Sequence, residues 1–394
     1  MTEEFGLQGV RVLVTDAETR LGLYVIRALG RAGCRVTAIS SEPVGSNVIG
    51  FASKFVSEID WVSRSTPYRE ALINTVEKLA GTHDVLVPIS TLSIEVIACH
   101  ASSLGSKIRF YVPDLDIFRA ANDKGTTTSI AEEIGIPIPK TYHGLDPDIV
   151  EEWSRDAKIR FPLVVKFSSD RRETLWNPAD RYRIVSSSEE LAREYRRMYR
   201  VGDYPLIQEY IRGPGYGFFS LAGLSGDPII TFCHRRLREY PISGGPSTLC
   251  ESVRDEELID LGAKMLRALK LKGLAMVEFK LDQQTNEYKF LEINPRFWGS
   301  LPLALRCGVN FPAYLVQMAL GVKPHRNWDY PLGVKVRFLP ADFLAAFDTW
   351  RMSKDSYFAM QYFRELFDLS IRDGMMESDD LMPLVAFIRS KLAR

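Results

Sequence analysis

An excess of charge of either sign is missing from this chain: 50 Lys and Arg offset 50 Asp and Glu over 394 residues. Without surplus positive charge there is little to drive counterion release from a phosphate backbone, so nucleic acid is not an expected partner. Long hydrophobic runs are missing too. None approaches the roughly 18 residues of a spanning helix, and no membrane partner is expected. The five cysteines, Cys34, Cys99, Cys233, Cys250 and Cys307, are scattered without a CxxC pair. That spacing argues against a zinc site and a disulfide framework and suits a reducing compartment. The start, Met1-Thr2-Glu3-Glu4, is acidic where a secretory leader is basic, so the expected location is the cytoplasm.

Hydrophobic residues at 46% and charged residues at 25% describe a globular chain rather than a disordered one. Its length calls for two or three domains. Val10 to Thr15 and Cys34 to Ser40 read as strands around a helix at Glu18 to Ala32. Asp84 to Ile89 and Ile108 to Val112 read as further strands, with a helix at Tyr68 to Ala80 before them. Strands and helices alternating in this way predict a parallel sheet in a first domain of about residues 1–115. The first strand-to-helix turn, Thr15-Asp16-Ala17-Glu18-Thr19-Arg20-Leu21-Gly22, lacks the glycines of a dinucleotide fingerprint. It carries two carboxylates where a pyrophosphate would sit, which excludes a nicotinamide cofactor from the expected set.

Helices are expected at Asp116 to Ala121 and Lys124 to Ile134, then a stiff Gly135-Ile136-Pro137-Ile138-Pro139 connector. Strands follow at Pro162 to Phe167 and Leu206 to Ile211, with a helix at Ser188 to Tyr199 between them. To about residue 300 the pattern is strands and loops with one helix, Glu256 to Leu269. From Phe343 to Arg394 the chain reads as helical, with Asp373-Gly374 as a break. Phe343, Phe347, Trp350, Tyr357, Phe358, Tyr362, Phe363 and Phe367 crowd this stretch. Packing on the rest of the chain explains them first, and a homodimer contact second.

The strongest chemical signal is Gly273 to Phe297, two strands around a polar turn at Gln284-Thr285-Asn286. A loop centred on Thr285 puts Glu278 opposite Glu292. Alternation then places Met276, Glu278, Lys280, Phe290, Glu292 and Asn294 on one face. Val277, Phe279, Leu281, Leu291 and Ile293 take the core face. Two carboxylates facing each other across a ladder repel unless a cation intervenes. Oxygens of Glu278, Glu292 and Asn294 suit Mg²⁺, with phosphate oxygens filling its shell. Arg296 falls on the same side, within reach of those phosphates. The alternative is a solvated hairpin face, and an even loop or a bulge would part the two glutamates.

Cations stand elsewhere in the chain. Lys166 interrupts the apolar strand Leu163-Val164-Val165-Lys166-Phe167; it points either to solvent or to a phosphate. Lys124 follows Asn122-Asp123 at a helix start, where backbone donors favour anions. Leu206-Ile207-Gln208-Glu209-Tyr210-Ile211 could carry an adenine along its backbone, between apolar walls from Ile207 and Ile211. His234-Arg235-Arg236 and Arg238 lead into Gly244-Gly245-Pro246-Ser247, a cationic strand joined to a glycine loop suited to closing over anions.

In this order the pieces resemble the ATP-grasp superfamily of carboxylate–amine ligases. Asn122-Asp123-Lys124 with the Gly135 to Pro139 connector is similar to the entry into its lid. Pro162-Leu163-Val164-Val165-Lys166 looks like its phosphate-binding strand. Gln208-Glu209-Tyr210-Ile211 is similar to its adenine hinge, and Glu278 with Glu292-Ile293-Asn294-Pro295-Arg296 resembles its metal and phosphate signature. Phe297-Trp298-Gly299-Ser300 and Gly308-Val309-Asn310-Phe311-Pro312 look like the carbamoyl-phosphate-synthetase-like branch.

The resemblance covers about residues 8–325. It implies a Rossmann-like first domain, an ATP-grasp body at 116–330 with a lid at about 125–205, and a helical extension at 331–394. It implies ATP and one or two Mg²⁺ ions, with Mn²⁺ as an alternative. Gln208, Glu209, Tyr210 and Ile211 would hold the base; Lys124, Lys166, Gly244 and Gly245 would face the phosphates. The metal would sit on Glu278, Glu292 and Asn294. Arg296 and Lys166 would stabilise phosphoryl transfer, and Arg238 and Arg306 would hold a substrate carboxylate. The implied reaction activates a carboxylate as an acylphosphate and joins it to an amine; a phosphotransferase and a nucleotide-binding regulator are the alternatives. Two stretches depart from the pattern. Ser168 to Trp176 is not glycine-rich, leaving Arg171 or Arg172 to cradle phosphate. No carboxylate for a ribose stands near Gly213-Pro214-Gly215, leaving Tyr216 or water.

Overall fold

β-branched residues and a well-capped helix build the first sheet. The computed structural model describes residues 5–63, 67–156, 159–168, 182–200, 203–242, 244–325, 329–354 and 356–392. Strand β1 (Arg11–Val14) runs into helix α1 (Arg20–Arg31), whose N-cap Thr19 accepts a hydrogen bond from the Gly22 amide. Then come β2 (Arg35–Ser40), β3 (Val56–Trp61), α2 (Tyr68–Ala80), β4 (Val85–Val87), α3 (Thr91–Cys99) and α4 (Ala101–Leu104). The four strands are parallel in the order β3-β2-β1-β4. Sequence pattern misses β3, an edge strand with little buried surface. It also turns Ile108 to Val112 into a strand, where the chain makes one isolated bridge, Arg109 to Val85.

Helices α5 (Leu115–Asn122) and α6 (Lys124–Glu133) lead to a smaller sheet. It comprises β5 (Thr141–Tyr142), β6 (Leu163–Lys166), β7 (Tyr182–Val185) and β8 (Leu206–Glu209), ordered β5-β8-β6-β7. Helices α7 (Val150–Asp156) and α8 (Ser188–Met198) accompany it, and Leu163, Val165, Leu191, Tyr195 and Ile207 form its own core. Ile207 is therefore fully buried in this core and forms no open wall.

The largest sheet gathers β9 (Gly215–Ala222), β10 (Pro228–Glu239), β11 (Ser247–Val253), β12 (Gly273–Leu281), β13 (Tyr288–Asn294), β14 (Lys335–Arg337) and β15 (Arg372–Asp373). Their order is β13-β12-β9-β10-β11-β14-β15, antiparallel except for the last pair. Helix α9 (Glu256–Leu269) covers one face through Leu258, Met265 and Leu266 against Phe218 and Val277. On the other face, α10 (Leu301–Arg306) and α11 (Phe311–Ala319) share one core with the parallel sheet. There Trp298 stacks on Phe219 at 4.4 Å. This shared core seats the parallel sheet against the antiparallel one.

The extension consists of α12 (Leu339–Ser353), α13 (Ser356–Leu366) and α14 (Met382–Leu392), with β15 inserted before the last. Phe343, Phe347, Trp350, Tyr357, Phe363 and Phe367 are exposed, while Tyr362 is buried. The end of the chain is tied back by Arg27, which donates to Asp380 Oδ2 at 2.8 Å and to the carbonyls of Met375 and Asp380. Ser53 Oγ and the Lys54 amide complete the shell of the Asp380 carboxylate. Among the described residues, no helix is long and apolar enough to cross a membrane.

Removing one partner of a buried ion pair strands the other charge. Asp380→Asn should therefore lower stability by about 3 kcal/mol, measured by urea denaturation. His234 on β10 offers a second test. It is buried, shares a hydrogen bond with Ser300 at 3.1 Å through Nδ1, and has no Nε2 partner among the described residues. Burial first, and then the neighbouring Arg236 charge, push its pKa well below 6.5. The unfolded chain takes up this proton below its ordinary pKa while the folded chain refuses it, so stability falls as pH drops below about 6.5, by up to about 1.4 kcal/mol per pH unit. In His234→Gln, denaturation at pH 7 and pH 5 should show a smaller acid loss than in the wild type.

Candidate nucleotide and metal site

Glu278 lies directly opposite Glu292 in the β12–β13 ladder, with Met276 opposite Asn294. The route to that pairing differs from simple alternation. The turn, Asp282 to Glu287, is even, because Leu281 pairs with Tyr288 and Phe279 with Phe290. A bulge at Leu291 then restores the register, and the two irregularities cancel at the glutamates. Phe290 consequently belongs to the core with Val277 and Phe279, a correction to the alternating assignment. Leu291 leaves that core, and its carbonyl accepts the Lys166 ammonium at 3.2 Å. Lys166 is buried and aimed at the hairpin, so its solvent-facing alternative is excluded.

Around the two carboxylates the cations and amides form one network. Asn294 Nδ2 donates to Glu278 Oε1 at 3.1 Å and to Glu292 Oε1 at 3.0 Å. Lys124 Nζ stands 3.4 Å from Glu292 Oε2. It is placed there by the start of α6, where Asp123 caps the Thr126 amide and the Lys124 amide donates to the Ser168 carbonyl at 2.7 Å. Arg296 donates to Asn294 Oδ1 at 2.9 Å and to Thr91 Oγ1 at 3.3 Å. That second contact joins the hairpin to the parallel sheet, where Ser90 and Ser93 also hold the buried Asp16 carboxylate. Glu18, the other carboxylate of this turn, is hydrogen-bonded by Ser41 and pushed up mainly by burial.

Arg236 completes the ring and was not singled out from its run of arginines. Its guanidinium reaches Glu278 Oε2 and donates to Glu239 at 3.2 Å and to the Gly245 carbonyl at 3.3 Å. To do so it crosses β9, and β9 carries glycine where it passes. A Cβ on Gly215 would lie 2.9 Å from Arg236 Cδ, and one on Gly217 would lie 3.0 Å from His234 Nε2. A run of cations beside glycines in the neighbouring strand is the signal that could have found it. Burial is the main force raising the Glu278 pKa; Arg236 opposes it and Glu292 adds to it.

Arg238 is not part of this cluster. A bulge at Leu237 breaks the alternation between the two arginines. Arg238 forms a bidentate pair with the fully buried Asp342 at 2.7 and 2.9 Å and a third bond to Glu365 at 2.6 Å. It anchors α12 and α13. Arg306 likewise pairs with Glu377 at 3.1 Å, lining a cleft of about 220 Å³ with Tyr24, Arg27 and Arg31. The structure thus places both arginines, expected to hold a substrate carboxylate, on acidic partners of their own.

The hinge residues are placed by β8. Gln208 is buried, donating to Thr141 Oγ1 at 2.9 Å, while Glu209 is exposed with its amide bonded to the Lys140 carbonyl. Lys280, unassigned in sequence, sits 5.3 Å from the Tyr210 ring centre and 3.4 Å from the Ile211 carbonyl. Burial lowers its pKa. Gly213, at φ +154°, passes against the Leu281 carbonyl where a Cβ would collide. The carboxylate absent near Gly215 in sequence arrives from β10, since Glu239 Oε1 would lie 2.9 Å from a Cβ there. Gly244, at φ +131°, and Gly245, whose Cβ would strike the Tyr240 carbonyl, shape the loop over Arg236. The expected phosphate cradle at Ser169 to Trp176, with Arg171 and Arg172, lies outside the described residues.

Among the described residues no group of three His, Cys, Asp or Glu side chains gathers as a ready metal cage. The two carboxylates nevertheless fit Mg²⁺, which keeps water and phosphate ligands and needs only one or two protein carboxylates, while Asn294 turns its Nδ2 to them and its Oδ1 to Arg296.

Comparison with known proteins agrees with this geometry. Residues 205–339 match a family model described as ATP-grasp in the biosynthetic pathway with Ter operon. The chain is 25% identical over 228 residues to the 2-oxoglutarate carboxylase small subunit of Hydrogenobacter thermophilus, covering 54% of this chain and 46% of that one. It is 24% identical over 181 residues to the D-alanine–D-alanine ligase of Pseudomonas entomophila, covering 44% and 54%. The chain thus spans about half the length of these relatives. The crystal structure of the biotin carboxylase domain of the Hydrogenobacter thermophilus enzyme, a dimer holding MgADP, ADP and bicarbonate, superposes with a TM-score of 0.64 at 18% identity, over 82% of this chain and 73% of that one. The chain therefore has an ATP-grasp fold, and its residues 205–339 match an ATP-grasp family model.

Proposed function

We propose that the chain is an ATP-dependent ligase that activates a carboxylate as an acylphosphate and joins it to an amine, releasing ADP and phosphate. The observation that carries this reading is the gathering of four cations on the Glu278–Glu292 hairpin: Lys124 on Glu292, Arg236 on Glu278, Lys166 on the Leu291 carbonyl and Arg296 on Asn294. Supporting it are the relatives, a carboxylase and a peptide-type ligase. We keep the division into residues 1–115, 116–330 and 331–394 as part of the proposal.

In this reading Glu278, Glu292 and Asn294 hold Mg²⁺, which when bound neutralises phosphate charge as Lewis acid. Lys166 and Lys124 face the nucleotide phosphates, and Arg296 steadies charge on the transferred phosphoryl group. Tyr210, Ile211 and Lys280 border the base, and Glu239 stands where a ribose hydroxyl would need an acceptor. The parallel sheet, joined to the hairpin through Thr91 and Arg296, presents the acceptor. Gly244 and Gly245 belong to the loop that excludes water from the acylphosphate. A second copy of the chain is our proposed partner for the exposed aromatic face of α12 and α13.

Screening amino acids and small carboxylates for stimulated phosphate release identifies the substrates. With them, Glu292→Gln should lower ADP release on the order of 100-fold; wild-type turnover would remove Glu292 from the metal site. Lys166→Ala should weaken ATP binding about tenfold, the worth of one charge-assisted hydrogen bond. Unchanged calorimetric affinity would leave Lys166 a structural lysine.

A further inference from the structure

Three arginines crowd one strand, yet each has a different fate. Arg235 pairs with Glu251, and Arg238 is consumed by Asp342 and Glu365. Arg236 alone of the three is aimed at the hairpin, with its side chain 14% exposed. Its contacts fall short of its donors: Nε has no partner among the described residues. One of its acceptors is Glu278 Oε2, while the other oxygen of that carboxylate is taken by Asn294. Both Glu278 oxygens thus accept from donors, and one of those donors is a cation that competes with a metal ion for the carboxylate.

Resting on the ligase reading above, we propose that Arg236 is a movable anion-binding residue stored on the metal ligand Glu278. Metal entry exchanges one cation for another on Glu278 and frees a guanidinium. The freed fork stays beside the Gly245 carbonyl and Glu239, next to the cations that face the phosphates. There it meets the anionic group of the substrate, for which its planar pair of donors is suited. The geometry explains one glycine that strand propensity does not call for. Gly215 opens β9, in a sheet where glycine is unfavourable, and a side chain there would block the arm of Arg236.

Mn²⁺ alone is the first probe, its binding to the full chain read from the loss of its free electron paramagnetic signal. Arg236→Met should bind Mn²⁺ about tenfold more tightly than wild type, the equivalent of one charge-assisted hydrogen bond released from Glu278. Gly215→Ala displaces the arm without removing its charge, and should shift binding in the same direction even if Arg236→Met fails to fold. Mn²⁺ binding no tighter than wild type in these variants overturns the storage role. In that case, loss of Mn²⁺ binding in Glu292→Gln would show that the ligase reading of the metal site survives; unchanged binding in Glu292→Gln would sink both. Inorganic phosphate added to the MgADP-saturated chain is the second probe. Calorimetry should show about tenfold weaker phosphate binding in Arg236→Met, with partial recovery in Arg236→Lys. Equal phosphate affinity in all three proteins overturns the anion-binding role.

Discussion

Two glutamates held face to face across one ladder organise the molecule's chemistry. Glu278 and Glu292 repel, and burial sharpens that repulsion because water is not there to screen it. Elements packed around the hairpin bring donors to it. Helix α6 supplies Lys124 to Glu292, β6 brings Lys166 to the Leu291 carbonyl beside it, β10 sends Arg236 to Glu278 across a glycine-bearing strand, and Asn294 bridges the pair from its own strand. The same contacts that stabilise the carboxylates in isolation position the cations that an anionic, metal-bound nucleotide would need.

The contributors come from helix α6 and two sheets, with Thr91 of the first domain holding Arg296, so the site exists only when these parts are seated on one another. Their seating depends on the shared core around Trp298, Phe219 and Phe311, which packs the parallel sheet against the body. Arg27 and Asp380 tie the far end of the chain into the same assembly. Arg238 does similar work for the extension through its bidentate hold on the fully buried Asp342. Charge balance across the chain is thus a sum of local segregations. Cations are gathered at the hairpin and at the seam of the extension, each against its own acids.

Local patterns were legible where one physical rule acted alone. Helix α2 and helix α9 span the residues that apolar periodicity gives them, and Asp255 caps the start of α9. The pairing of Glu278 with Glu292 was readable as well, although it is reached through an even turn and a compensating bulge. Alternation therefore gave the right pair and the wrong face for Phe290 and Leu291. A bulge costs the sequence no visible signal, since one extra residue leaves composition unchanged. The same blindness hides the bulge at Leu237, which turns Arg236 toward the hairpin and Arg238 toward Asp342.

Residue types by themselves determined the chemistry available: paired acids, a lysine in an apolar strand, an aromatic extension and too few glycines for a dinucleotide turn. These follow from local periodicity and charge, which act over a few residues. Which cations meet the acids was decided by the tertiary structure alone. Arg236 reaches Glu278 over 42 residues of separation, Lys166 reaches Leu291 over 125, and Arg296 reaches Thr91 over 205. Contacts of that range depend on how sheets stack, how bulges reset a register and where glycine lets a side chain cross. None of these is encoded in the spacing of the residues that finally touch.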